Sequence, residues 1–146
     1  MHTLSLEIAD QIAAATIQEG RDRGFAPLTV AIMDPGGHLI TLKRDNKSSI
    51  MRPQIAQAKA WGALSMGFGG RELARRAANT PAFFNALSVI SDGRMAPVPG
   101  GALIRNAEGD LLGAIGVTGD TSDNDELAFL PAIKQAGLVA ETGDPN

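Results

Sequence analysis

Pro99-Gly-Gly-Ala-Leu-Ile-Arg-Asn-Ala-Glu-Gly-Asp-Leu-Leu-Gly-Ala-Ile-Gly-Val-Thr-Gly119 reads as a glycine loop, a strand, a tight turn and a second, glycine-studded strand, and it runs into an acidic helix entry at Asp125-Glu126. Glycines at 113, 116 and 119 inside apolar sequence give up side-chain packing and add backbone entropy to be lost on folding. Such a segment is kept where something approaches the backbone closely, either another part of the protein or a ligand. The spacing predicts strands over about 102–106 and 111–118, joined at Ala107-Glu-Gly-Asp110 as a β-hairpin.

Towards the N-terminus a second hairpin is predicted. Leu28-Thr-Val-Ala-Ile-Met33 is short, apolar and β-branched, Asp34-Pro-Gly-Gly37 is a turn signal, and 38–44 returns in partial alternation. Residues 3–23 carry helical spacing at Leu4, Ile8, Ile12 and Ala15, with Thr3 as N-cap and Gly24 just past the end. An alanine-rich helix is expected over about 49–68, with Pro53 marking a possible later start, then a short helix at about 71–78. Thr80 as N-cap and Pro81 at the first helical position open a further helix to about Ile90. The last helix spans about 123–135, with acids in its first turn as the helix dipole favours. The tail from Glu141 to Asn146 is polar and expected to fray. The order helix, hairpin, helices, hairpin, helix predicts an α+β fold, with both hairpins in one antiparallel sheet and helices on its faces. Nothing divides residues 1–146 into more than one domain.

Composition narrows the function. A net charge of −3 leaves no electrostatic footprint for nucleic acid or an anionic membrane. There is no cysteine, which removes thiol chemistry, disulfides and thiolate metal sites. No apolar run approaches the roughly 18 residues of a membrane span, no signal peptide is visible, and a cytoplasmic location is the default expectation.

Several residues invite a chemical reading, each beside a plainer one. Lys59 sits in the middle of the alanine-rich helix, among Ala56, Ala60 and Ala63. Its amine either snorkels to solvent or is held by a carboxylate or a ligand, and a desolvated lysine can act as acid, base or Schiff-base nucleophile. Arg44-Asp45 is either a surface charge pair or an arginine fork for a substrate carboxylate. Gly100-Gly101, stiffened by Pro97 and Pro99, either satisfies a loop needing positive φ or bares backbone amides to an anion. Asp125 and Glu126 suit the helix dipole, a subunit contact or a salt bridge to Lys59. Asp120, Asp123 and Asp125 lack the spacing of a calcium loop, so no metal site is expected. His38 is a strand start, an iron ligand or a general base. Ser48 and Ser49 have no histidine at a spacing that supports a hydrolase triad, and no dinucleotide or phosphate-loop pattern is present.

Four stretches taken together resemble the GlcG/HbpS-like proteins, small bacterial haem-binding or haem-degrading domains that include the C-terminal domain of the PduO adenosyltransferases. They are Val30-Ala-Ile-Met-Asp-Pro-Gly-Gly37 with Arg44-Asp45, Ile55-Ala-Gln-Ala-Lys-Ala60, Pro99-Gly-Gly101, and Leu112-Gly-Ala-Ile-Gly-Val-Thr-Gly119 with Asp125-Glu126. The resemblance implies a profilin-like α/β/α sandwich with a five-stranded antiparallel sheet, and self-association, often as octamers. It implies haem as a possible cofactor, for which the chain has two histidines, His2 and His38.

Three functions follow as expectations. The first is a domain binding a small molecule, haem or another tetrapyrrole. The second is an enzyme acting on a small oxo- or hydroxy-carboxylate, or its enamine or imine. The third is an oligomeric scaffold in which Phe83, Phe84 and Leu87 form an apolar interface. The expected site comprises Lys59 and Arg44 as catalytic groups, with Pro99, Gly100, Gly101, His38, Asp125 and Glu126 as ligand contacts.

Overall fold

The computed structural model describes residues 3–144. Both hairpins form: β1 (Thr29–Met33) pairs antiparallel with β2 (Leu39–Arg44), and β3 (Gly101–Arg105) with β4 (Leu111–Thr118). They are joined through their inner strands, β1 to β4, with Ala31 opposite Gly116 and Ile32 opposite Ile115. A fifth strand, β5 (Val139–Glu141), adds antiparallel to β3, giving the sheet order β2-β1-β4-β3-β5. Read residue by residue, the sequence supplies four strands; β5 is three residues long, too short to show a period.

Side chains alternate between the faces of the sheet. In β3, Ala102 and Ile104 join a core with Ile12, Ala13, Phe129 and Ile133, whereas Leu103 turns to the other face with Ala60 and Ala63. α1 (Leu6–Asp22) and α5 (Ser122–Gln135) therefore cover one face and α2 (Arg52–Met66) the other, which is the expected α/β/α sandwich. The seam between α2 and the sheet is made of small residues. A Cβ added at Gly116 would lie 1.9 Å from the carbonyl oxygen of Ala56, and one at Gly101 would lie 2.5 Å from that of Lys59. The close approach expected around 100–119 is thus the protein's own helix on its own strands.

α3 (Gly70–Asn79) and α4 (Pro81–Ile90) follow the predicted bounds closely. The caps differ at two points. Ser5, not Thr3, caps α1 by accepting from the amide of Ile8 at 3.2 Å. Thr80 makes no N-cap bond to α4; its hydroxyl donates instead to the carbonyl of Arg76 at 2.9 Å, closing α3. The tail is also more ordered than its polarity suggests. Thr142 is buried, the Arg71 amide donates to its carbonyl, and Asp144 pairs with Arg75 and Arg71. Residues 145 and 146 lie outside the described residues, as does His2.

α5 starts on a side-chain cap: the Thr121 hydroxyl accepts from the amide of Asn124 at 3.1 Å. Thr121→Ala removes that acceptor and is expected to lower stability by about 1 kcal/mol, read as a shift in the denaturant midpoint at unchanged slope.

Candidate functional site

Lys59 lies on the sheet-facing side of α2 and is only 3% exposed. Its ammonium donates to the Val117 carbonyl at 2.9 Å and to Oδ2 of Asp125 at 3.1 Å. Asp125 is buried as well, and its Oδ1 accepts from the amide of Asp120 at 2.9 Å. One amine thus ties α2 to β4 and to the start of α5. Burial pushes the Lys59 amine below the ordinary lysine range against the pull of Asp125, and Arg52 adds to the depression. Burial likewise pushes the Asp125 carboxyl up against the attraction of Lys59. Both shifts have one origin, the loss of hydration by charged forms.

Gly100 makes room for this pair. It has a φ of +104°, and a Cβ there would stand 2.8 Å from Lys59 Nζ. Its carbonyl accepts from the Val117 amide at 2.8 Å, and Pro99 beside it is half-buried. Of the residues singled out in the sequence, Lys59, Asp125, Gly100 and Gly101 are brought together, but the amine they surround has its protein acceptors in hand and lines none of the grooves described below. Glu126 is paired elsewhere, accepting from Arg71 Nη2 at 2.9 Å and Nε at 3.3 Å. The Arg71 guanidinium, held also by Asp123, is raised above its ordinary range, chiefly by Glu126.

Arg44 and His38 are placed differently. Arg44 ends β2 exposed and, among the described residues, has no charged partner; its neighbour Asp45 pairs with Arg21 instead. His38 is 81% exposed at its side chain, with Nδ1 at 3.2 Å from both carboxylate oxygens of Asp34. Partial burial pushes the Asp34 carboxyl up, but the amides of His38 and Gly36 and the nearby imidazole outweigh it and hold the group below its ordinary range.

The His38 turn borders an open groove of about 390 Å³ lined by Met33, Gly37, Gln54, Gln57, Ala58, Trp61, Asp92, Gly93 and Arg94. Gly37, at φ +83°, lays its backbone against the indole, where a Cβ would come within 3.2 Å of the ring. The Arg94 guanidinium carbon stands 4.4 Å from the centroid of the Trp61 ring, a cation–π distance. Neither Trp61 nor Arg94 carries a motif. The available signal is that Trp61 is the chain's one tryptophan, and that it shares a helix face with Gln54 and Ala58, away from the buried Ala56, Ala60 and Ala63. A second groove, of about 530 Å³ between α5 and β5, is lined mainly by aliphatic side chains such as Leu130, Pro131 and Leu138.

Of the aromatic pair expected at an interface, Phe84 points inward, packed with Leu73 and Met95, and Leu87 packs partly buried against the same cluster. The exposed large apolar residues of α4 are Phe83, Val89 and Ile90. No helix among the described residues is long and apolar enough to cross a membrane.

Comparison with known proteins places the fold. PduOC, solved as a haem complex, is 23% identical over 97% of this chain and 99% of its own, with a TM-score of 0.82. The Klebsiella pneumoniae protein ORFY is 24% identical over 93% of this chain and 92% of its own, with a TM-score of 0.83. At those identities the likeness is one of fold. A double mutant of Streptomyces reticuli HbpS is 25% identical over 92% of this chain and 88% of its own, with a TM-score of 0.78. No curated protein matches in sequence. The family described as haem degrading protein HbpS-like matches residues 4–134, nearly the whole sequence. The chain belongs to the HbpS-like family.

Proposed function

We propose that the protein binds a flat conjugated small molecule, haem or a related tetrapyrrole, in the groove beside Trp61, with His38 as the donor to its iron. The observation that carries this reading is the Gly36-Gly37-His38 turn. Its second glycine closely approaches the pyrrole edge of the Trp61 indole, and the next residue is a histidine whose Nδ1 is occupied by Asp34. A carboxylate on one ring nitrogen fixes the tautomer and orients the ring, which is how ligating histidines are commonly supported. Among the described residues Nε2 of His38 has no protein partner. Met33, Ala58 and the indole supply apolar surface, and the groove volume falls within the roughly 300–1,000 Å³ of small-molecule sites.

These residues fit the group by their chemistry: an imidazole donor, an aromatic floor and a polar rim. When bound, haem would supply an iron centre; the chain's own part is to hold the ring, orient the imidazole and shield one face. The family's description and the haem complex of PduOC support the ligand class. Self-association belongs to the same reading and is supported by the exposed Phe83, Val89 and Ile90.

Haemin titration tests it. A saturable Soret shift is expected, weakened at least about tenfold by His38→Ala, as the loss of a supported metal ligand implies. Absence of saturable change in the wild-type protein refutes the reading, and an unchanged spectrum and affinity in His38→Ala removes the histidine from it.

A further inference from the structure

Among the described residues Arg94 is the one cation lining the Trp61 groove. Its Nε donates to the Ser91 carbonyl at 2.8 Å, and its guanidinium lies over the indole. Two restraints therefore fix a long, otherwise entropic side chain in place. Among the described residues neither Nη has a protein acceptor and no carboxylate pairs with the group; Asp92, the one acid lining the groove, leaves it unpaired. Among the described residues the indole N–H has no protein acceptor, and its nitrogen would lie 3.2 Å from a Cβ built at Gly37. The side-chain amides of Gln54 and Gln57 border the same space, the latter donating to the Pro53 carbonyl.

A guanidinium held over a ring, with its Nη atoms without protein acceptors among the described residues, offers N–H donors in the fork that a carboxylate accepts. Most charged side chains on this molecule are already matched: Arg71, Arg75, Arg76 and Arg105 all have carboxylate partners. Arg94 is ordered without one, beside an aromatic floor. Resting on the ligand class proposed above, we infer that Arg94 is the carboxylate anchor of the groove, so that the site selects tetrapyrroles bearing free acid side chains over their neutral esters.

The test compares haemin with haemin dimethyl ester on the full chain, in wild type and in Arg94→Gln and Arg94→Lys. Binding is read from the Soret band and from quenching of Trp61, the only tryptophan. The expected result is that wild type favours the acid by about tenfold or more, the scale of a charge-assisted hydrogen bond. Arg94→Gln is expected to erase that preference by weakening the acid about tenfold more than the ester, and Arg94→Lys to restore part of it. Equal loss for acid and ester in Arg94→Gln would mean a merely structural role and overturn the inference. So would a wild type that does not distinguish the two ligands, with the binding reading left standing. If wild type binds neither form saturably, the binding reading fails and the anchor falls with it.

Discussion

Lys59→Met is expected to lose about 3–5 kcal/mol of stability, the cost of removing one partner from a buried ion pair and leaving the other charge uncompensated. The methionine fills most of the volume of the lysine stem, so the loss reports charge rather than a cavity. What remains is the Asp125 carboxylate, 1% exposed and supported only by the Asp120 amide on its other oxygen. Its ionised form then lacks the one cation that offsets desolvation, and its pKa rises beyond the value already raised in the wild-type fold.

That shift fixes the pH dependence. A carboxyl whose folded pKa lies above its unfolded value costs stability while ionised, and the cost disappears as the folded state takes up the proton first. The Lys59→Met deficit is therefore largest at neutral pH and narrows on acidification, between the further raised pKa of Asp125 in the variant and its already raised wild-type value. In Lys59→Met with Asp125→Asn the amide oxygen can still accept from the Asp120 amide, no charge is buried, and the narrowing vanishes. The double variant is expected to be more stable at pH 7 than Lys59→Met alone. Urea midpoints from pH 4.5 to 8 measure all of this. A small deficit of the same size at every pH would mean that water reaches the pair, contrary to its burial.

Much of the fold is legible in the sequence because its elements carry their own signals. Asp34-Pro-Gly-Gly37 and Ala107-Glu-Gly-Asp110 announce turns, and the runs beside them are short, apolar and β-branched, so both hairpins and their shared sheet follow. Pro81 and the alanine-rich run around Ala60 fix two helices similarly. β5 is different: Val139-Ala-Glu141 is a strand only because β3 leaves an open edge beside it, a tertiary cause with no local sign. The site divides in the same way. A lysine amid alanines leaves snorkelling, a carboxylate partner or a ligand open, with Asp125 among the alternatives, and burial of both groups depends on Gly100 admitting the amine. The Trp61–Arg94 contact joins residues 33 positions apart through the loop after α4, and no spacing rule reaches it. Arg44-Asp45 reads as a surface charge pair or as an arginine fork for a substrate carboxylate, yet Arg44 closes β2 exposed while Asp45 lies just past the strand. Asp45 finds Arg21 of α1 instead.

Gly116→Ala is expected to cost more than the about 1–3 kcal/mol typical of overpacking, and to leave little folded protein. The added methyl would lie 1.9 Å from the Ala56 carbonyl oxygen and 2.8 Å from the Ala60 amide, both backbone atoms of α2 that cannot rotate aside. Relief requires moving the whole helix off β4, and the same movement pulls Lys59 from Val117 and Asp125 and shifts the Trp61 wall of the groove. Gly62→Ala on the same helix is the control. There the nearest atom is Cγ of Met95, at 2.9 Å, the flexible side chain of a residue that can repack. It also gains helix propensity, worth about 1 kcal/mol for glycine to alanine in a helix interior. Gly62→Ala is thus expected to fold with near wild-type stability, and Gly116→Ala to lose both cooperative unfolding and the haemin binding proposed above. Were Gly116→Ala to fold with a small loss and bind haemin as wild type does, α2 could not be seated backbone-to-backbone on β4. The bare strand would then be open to a ligand, as its glycines first suggest.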